Sequence, residues 1–200
     1  MIKCNVNVIG KVYRPVELKE DRNGNPFVTF GISVELKDKQ ESKSIDISVA
    51  SDGEDNSVLS LKSGDRVKLT GVLTFRKRED TVYYNFSAEK VQKIGQEEDS
   101  ISGKIQFKGT VGNKDIQECQ GKKGAFRVFD AYSSEKVDAD KFAFIWVHFI
   151  DFSEECPEWL IPRAKIEAEG ALEFQVFNGK VSIGCRVESL ALWKKDNAKQ

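Results

Sequence analysis

Two hundred residues with a formal net charge of −1 leave room for two domains of ordinary size and force no attraction to a polyanion. The balance is uneven: residues 1–95 hold 16 Lys+Arg and 14 Asp+Glu, the rest hold 15 and 18, so the halves carry +2 and −3. No signal peptide and no apolar run of membrane-spanning length is seen, and Cys4, Cys119, Cys156 and Cys185 form no CxxC pair; a cytoplasmic protein with reduced thiols, no zinc and no cofactor is expected.

The first half alternates apolar and polar residues with period two. Val6, Val8 and Val12 alternate with Asn5, Asn7 and Lys11, and Phe30, Ile32 and Val34 with Gly31 and Ser33. Ile45, Ile47 and Val49 follow, then Val67, Leu69, Leu73 and Phe75 around Gly71, then a fifth segment from Val82 to Val91. Each reads as a half-buried strand. Asp21 to Asn25 contains Asn23-Gly24, a tight-turn signal. A short helix is predicted only over Ser57–Leu61, closed by Ser63-Gly64. Five strands with one short helix between the third and fourth is the order of an OB-fold, a small Greek-key barrel.

Shifted by 99 positions, the second half repeats the first. Gly10 meets Gly109, Phe30 meets Phe129, Leu61 meets Leu160, Gly71 meets Gly170 and Phe75 meets Phe174. The shared residues set backbone shape and core, while the charged residues between them differ. The expected architecture is all-β, two tandem OB-fold five-stranded Greek-key barrels. Residues 1–95 would form the first and 101–194 the second, with a short linker over 96–100 and a polar tail over 195–200. Strands are predicted over Ser102–Val111, Ala125–Tyr132, Phe142–Phe152, Lys165–Val176 and Val181–Leu192, with Pro157–Pro162 in place of the helix.

Four segments in order resemble bacterial-type single-stranded-DNA-binding proteins: GKVYRPVELK (10–19), NGNPFVTFGISV (23–34), LKSGDRVKLTGVL (61–73) and YYNFSAEKVQKI (83–94). The resemblance implies binding of single-stranded DNA without chemistry, by base stacking and phosphate neutralisation. The chain departs from that family at three points. Stretches matching the family's stacking positions carry Ile45, Ser51 and Arg78, and residues 1–95 hold no tryptophan. The family's acidic tail is not matched by Trp193 to Gln200, and one barrel per chain is usual there. A divergent tandem form, encoded by a phage or mobile element, fits these departures.

Candidate contacts follow from strand phase and charge. Arg76, Lys77 and Arg78 stand together at a strand tip, as a phosphate cluster or a solvated hairpin. Tyr83 faces outward if Tyr84, Phe86 and Ala88 face the core, free to stack on a base or to cover the sheet. Lys11, Tyr13 and Arg14 put cations beside an aromatic ring. Phe27 is either exposed for stacking or tucked under the Asn23-Gly24 hairpin. In the second half Phe142, Phe144, Trp146 and His148 share one face, and Ala143, Ile145, Val147 and Phe149 the other. The second set makes a normal core, leaving Phe144, Trp146 and His148 exposed for bases. The 99-residue alignment gives the opposite phase, and one inserted residue in the preceding loop switches between the two.

No catalytic constellation is present, so no enzyme is expected; Gly121 to Gly124 lies in a hairpin, outside the strand-to-helix setting of a phosphate loop. The function expected is single-stranded DNA binding with little sequence preference, in replication or recombination, with a homo-oligomer or a replication-protein partner possible. RNA serves the same chemistry. The alternative is a protein-interaction or scaffolding module of a replication or transfer complex, favoured by the near-neutral charge.

Overall fold

A computed structural model describes residues 1–38, 41–122, 124–138 and 141–194. The tail at 195–200 lies outside the described residues. The chain is almost entirely β, with eleven strands and a single four-residue helix among the described residues. It divides into two compact units. One comprises Lys3–Gly103 with Phe174–Val181, the other Met1–Ile2, Lys104–Glu173 and Ser182–Gln200.

The first unit is built on β1 (Ile2–Glu20), β2 (Pro26–Asp38), β3 (Glu41–Asp52), β4 (Arg66–Arg78) and β5 (Thr81–Ile94), with helix α1 (Asn56–Leu59) before β4. Strand β1 pairs antiparallel with both β2 and β4; β2 pairs with β3, β3 runs parallel to β5, and β5 returns antiparallel to β4. The circuit β1-β2-β3-β5-β4 therefore closes on itself. A closed circuit removes free sheet edges and leaves one interior for alternate side chains. Val8, Val12, Phe30, Ile32, Ile47, Leu69, Leu73 and Phe86 fill it, each at most 2% exposed. Helix α1 is capped by Asp55, which accepts from the Ser57 N–H at 2.8 Å. Val58 and Leu61, from α1 and just beyond it, are buried. Asp99 lies just before the next strand, and its carboxylate accepts from the Glu35 N–H at 2.7 Å and pairs with Arg66.

The second unit uses β7 (Gln117–Gly121), β8 (Gly124–Asp138), β9 (Lys141–Asp151) and the greater part of β6 (Ser100–Val111), β10 (Lys165–Phe177) and β11 (Lys180–Leu192), whose remaining residues belong to the first. Its order is β6-β10-β11-β9-β8, and β6 meets β8 at Thr110–Tyr132 and Val111–Ala131. The parallel pair, β9 with β11, stands where β3 with β5 stands in the first. Strand β7, hairpinned to β8 through Gly121–Gly124, is absent from the sequence expectation: its residues, Gln117 to Gly121, are polar and show no alternation.

The 99-residue repeat extends to backbone contacts. A methyl group on Gly10 would stand 2.8 Å from the Ser33 carbonyl oxygen, and one on Gly109 2.2 Å from that of Tyr132. At Gly71 it would meet the Ser87 oxygen at 2.1 Å, and at Gly170 the Arg186 oxygen at 2.0 Å. No side chain fits at such approaches, so glycine recurs at both pairs of positions.

Over β9 the repeat is out of step by one residue. Phe30 pairs with Val49, whereas Phe129 pairs with Phe149, one residue further than the repeat requires. The extra residue is Val137, in a bulge between the pairs Lys136–Phe142 and Asp138–Lys141. A one-residue slip turns every β9 side chain over relative to the 99-residue alignment. Ile145, Val147 and Phe149 are accordingly buried, and the alignment's phase, which buries Phe144 and Trp146, is overturned.

Between β9 and β10 no helix forms. Turns at Pro157–Leu160 and Ile161–Ala164 replace it, with Leu160 buried like Leu61. The segment is held by Arg127, 6% exposed, which donates to the Asp151 carboxylate at 2.9 Å and to the carbonyls of Ser153 and Glu155 at 2.7 and 2.9 Å. Arg127 and Asp151 form a cross-strand pair equivalent to Val28 and Ser51. A buried ion pair thus stands where the first half has an apolar residue and a serine.

Candidate nucleic-acid interface

In the second unit, alternation along β9 turns Phe142, Phe144 and Trp146 outward, at 57%, 43% and 51% exposure. His148, on the same face, is half-buried and its Nδ1 lies 2.8 Å from Asp130 Oδ1, directly across the β8–β9 ladder. Tyr132 completes the face from β8. Its ring centroid is 4.9 Å from that of Trp146 and 5.4 Å from that of Phe144. Tyr132, less exposed, bridges the two half-open rings of Phe144 and Trp146, and the three form a platform of the kind on which bases stack. Tyr132 escapes sequence reading because its contact with Trp146 depends on the bulge at Val137. Asp130 escapes it because an exposed aspartate gains meaning only opposite His148.

In the first unit the outward face mixes polar and apolar groups. A shallow groove crosses β2, β3, β5 and β4 and is lined among others by Arg14, Lys19, Ser48, Thr74, Asn85 and Ser87. Arg14 donates to the Phe30 carbonyl at 3.2 Å, and Lys19 pairs with Glu17 at 3.0 Å. Along β4 and β5 the same phase continues to Arg76 and Tyr83, which are cross-strand partners, with Tyr83 50% exposed. Arg78 shares that phase and is exposed. Lys77 has the opposite phase, that of Phe75, and is half-buried, so the three adjacent cations do not form one cluster. On that inner side Tyr84 packs against Phe75 and Phe174 at 5.8 and 6.4 Å, and burial raises its hydroxyl above the ordinary tyrosine range.

Tyr13 is 44% exposed and lies over Gly31, where an added methyl group would be 2.8 Å from its ring. Lys11 is exposed but pairs across β4 with Arg66, ten residues from Arg76, roughly 33 Å along the strand. Lys11 and the Arg76 hairpin are therefore not parts of one local site. Phe27 is half-buried, between Lys19 and Asp52 in the ladder, an intermediate outcome between its two expected placements.

Among the described residues no group of three His, Cys, Asp or Glu could hold a metal ion, and no helix is long and apolar enough to cross a membrane. The four cysteines form no disulfide; Cys4 and Cys185 are buried, and burial pushes the Cys185 thiol up to about 12.

No protein-family model matches the chain, and no curated protein does. Among solved structures, the wild-type single-stranded DNA binding protein from Thermus aquaticus is similar over 100% of this chain and 96% of its own, with 14% identity and a TM-score of 0.50. A deletion mutant of the same protein covers 98% and 96%, at 15% identity and a TM-score of 0.48. The small single-stranded DNA-binding protein from Streptomyces coelicolor covers 47% of this chain and 92% of its own, at 20% identity and a TM-score of 0.35. At this identity the likeness to the wild-type Thermus protein is one of fold: the chain has an all-β fold like that of a single-stranded DNA binding protein.

Proposed function

We propose that the chain binds single-stranded DNA with little overall sequence preference, in replication or recombination, through two tandem OB-fold barrels spanning 1–95 and 101–194. The observation that carries this reading is the outward aromatic face of β9 and β8, with Tyr132, Phe144 and Trp146 in ring contact. Stacking on exposed rings serves any base and needs an unpaired strand, because paired bases hide their faces. The first barrel offers the complementary half of the chemistry: the Arg14–Lys19 groove, continuing in phase to Arg76, Arg78 and Tyr83, follows a phosphate backbone. The fold likeness to the wild-type Thermus aquaticus single-stranded DNA binding protein agrees with this reading.

A second reading has one observation in its favour. Exposed aromatic residues on a chain of formal charge −1 also suit a protein partner. The two separate in a titration of a fluorescent oligonucleotide of mixed sequence at two salt concentrations. DNA binding gives saturation and an affinity that falls with salt. A flat titration at low salt leaves the protein-interaction module.

A further inference from the structure

Beside the aromatic face the second unit has a pocket whose lining differs from that of the corresponding groove in the first. Its volume is about 420 Å³, within the range of small-ligand sites, and its lining includes Gly112, Asn113, Lys114, Asp130, Trp146 and His148. The repeat shows how it arises. Gly112 stands where the first half has Tyr13, and Asp130 where it has Gly31. In the first unit the Tyr13 ring lies on Gly31 and occupies that place. In the second unit the ring is missing from β6, and the strand breaks before β7. Trp146 supplies an aromatic wall from β9 instead, close enough that a methyl group on Gly112 would be 3.2 Å from it. With the register slip, Trp146 and His148 replace Asp46 and Ser48. The exchanges leave an open cavity with one aromatic wall and two aspartates, Asp115 and Asp130, in its lining.

We infer that this pocket takes one nucleobase of the bound strand and prefers an amino-bearing base, such as cytosine, over thymine. The inference rests on the proposed single-stranded DNA binding. Trp146 offers a face for the base to stack on. Asp130 is an acceptor: one carboxylate oxygen engages His148, and the side chain is 51% exposed, leaving the other oxygen available. A carboxylate accepts from the cytosine amino group, and thymine presents a carbonyl oxygen at the same place. Two acceptors facing each other repel, so thymine stacks without its edge being satisfied. Lys114, at the rim, is placed to meet a phosphate.

The test compares the full-length protein with fluorescent oligo-dC and oligo-dT of equal length. The wild-type protein binds oligo-dC about tenfold more tightly. Asp130→Asn offers both a donor and an acceptor, and the preference disappears. Gly112→Val crowds Trp146 while leaving Asp130 in place, and it also narrows the preference. Equal wild-type affinities overturn the pocket while leaving general DNA binding intact. So does a preference that survives Asp130→Asn in a folded variant. Failure of the wild-type protein to bind either oligonucleotide removes the proposed function, and the pocket assignment with it.

Discussion

Replacing Trp146 with alanine separates a binding residue from a packing residue, because the ring is 51% exposed. A fully buried tryptophan costs about 3–5 kcal/mol when truncated. Here about half of a surface of roughly 200 Å² is covered, which at about 25 cal/mol per Å² is worth at most ~2.5 kcal/mol. Part of that is the ring contact with Tyr132 at 4.9 Å. The variant should therefore melt somewhat earlier and still fold. A base stacked on the ring contributes about 1–3 kcal/mol, so affinity for single-stranded DNA should fall by roughly 5- to 150-fold. Trp146→Phe keeps an aromatic face and should recover most of that loss. The assay is a thermal melt followed by an oligonucleotide titration well below the transition. A folded Trp146→Ala variant with wild-type affinity would refute the stacking role.

The remaining expectations concern the groove and the frame. Arg76→Ala and Arg78→Ala should each lower the log–log salt slope by about 0.7, read by titration at several salt concentrations, while Lys77→Ala, on the other face, should leave it unchanged. Gly170→Ala should lower the melting temperature clearly, by about 1–3 kcal/mol of stability, since its methyl group would meet the Arg186 carbonyl oxygen at 2.0 Å. Arg127→Val strands Asp151, 3% exposed, and should cost about 3–5 kcal/mol in denaturant unfolding; adding Asp151→Ser, which restores the Val28–Ser51 arrangement, should recover part of it.

The strands were readable because half-buried sheets write their phase into alternate residues, as Val67, Leu69 and Leu73 do around Gly71. The glycines were readable because backbone carbonyls 2.0–2.8 Å from a hypothetical methyl group admit nothing else. The face of β9 was ambiguous in sequence because both of its phases are apolar. Val137, one bulged residue, decides it, and a bulge carries no mark in a polar hairpin. Strand β7 was invisible because its five residues are polar and its pairing comes from β8 rather than from burial of one face. The Arg127–Asp151 clamp was hidden for a related reason: 24 residues separate two charges that only the β8–β9 register brings together.

The most direct test uses the protein's own fluorescence. Three tryptophans are present, and of these Trp146 alone lies on the aromatic face of β9. Adding single-stranded DNA of mixed sequence at low salt should quench the emission saturably, and Trp146→Phe should abolish most of the quench while retaining binding by anisotropy. An unquenched wild-type protein, or an undiminished quench in Trp146→Phe, would contradict base stacking on this face.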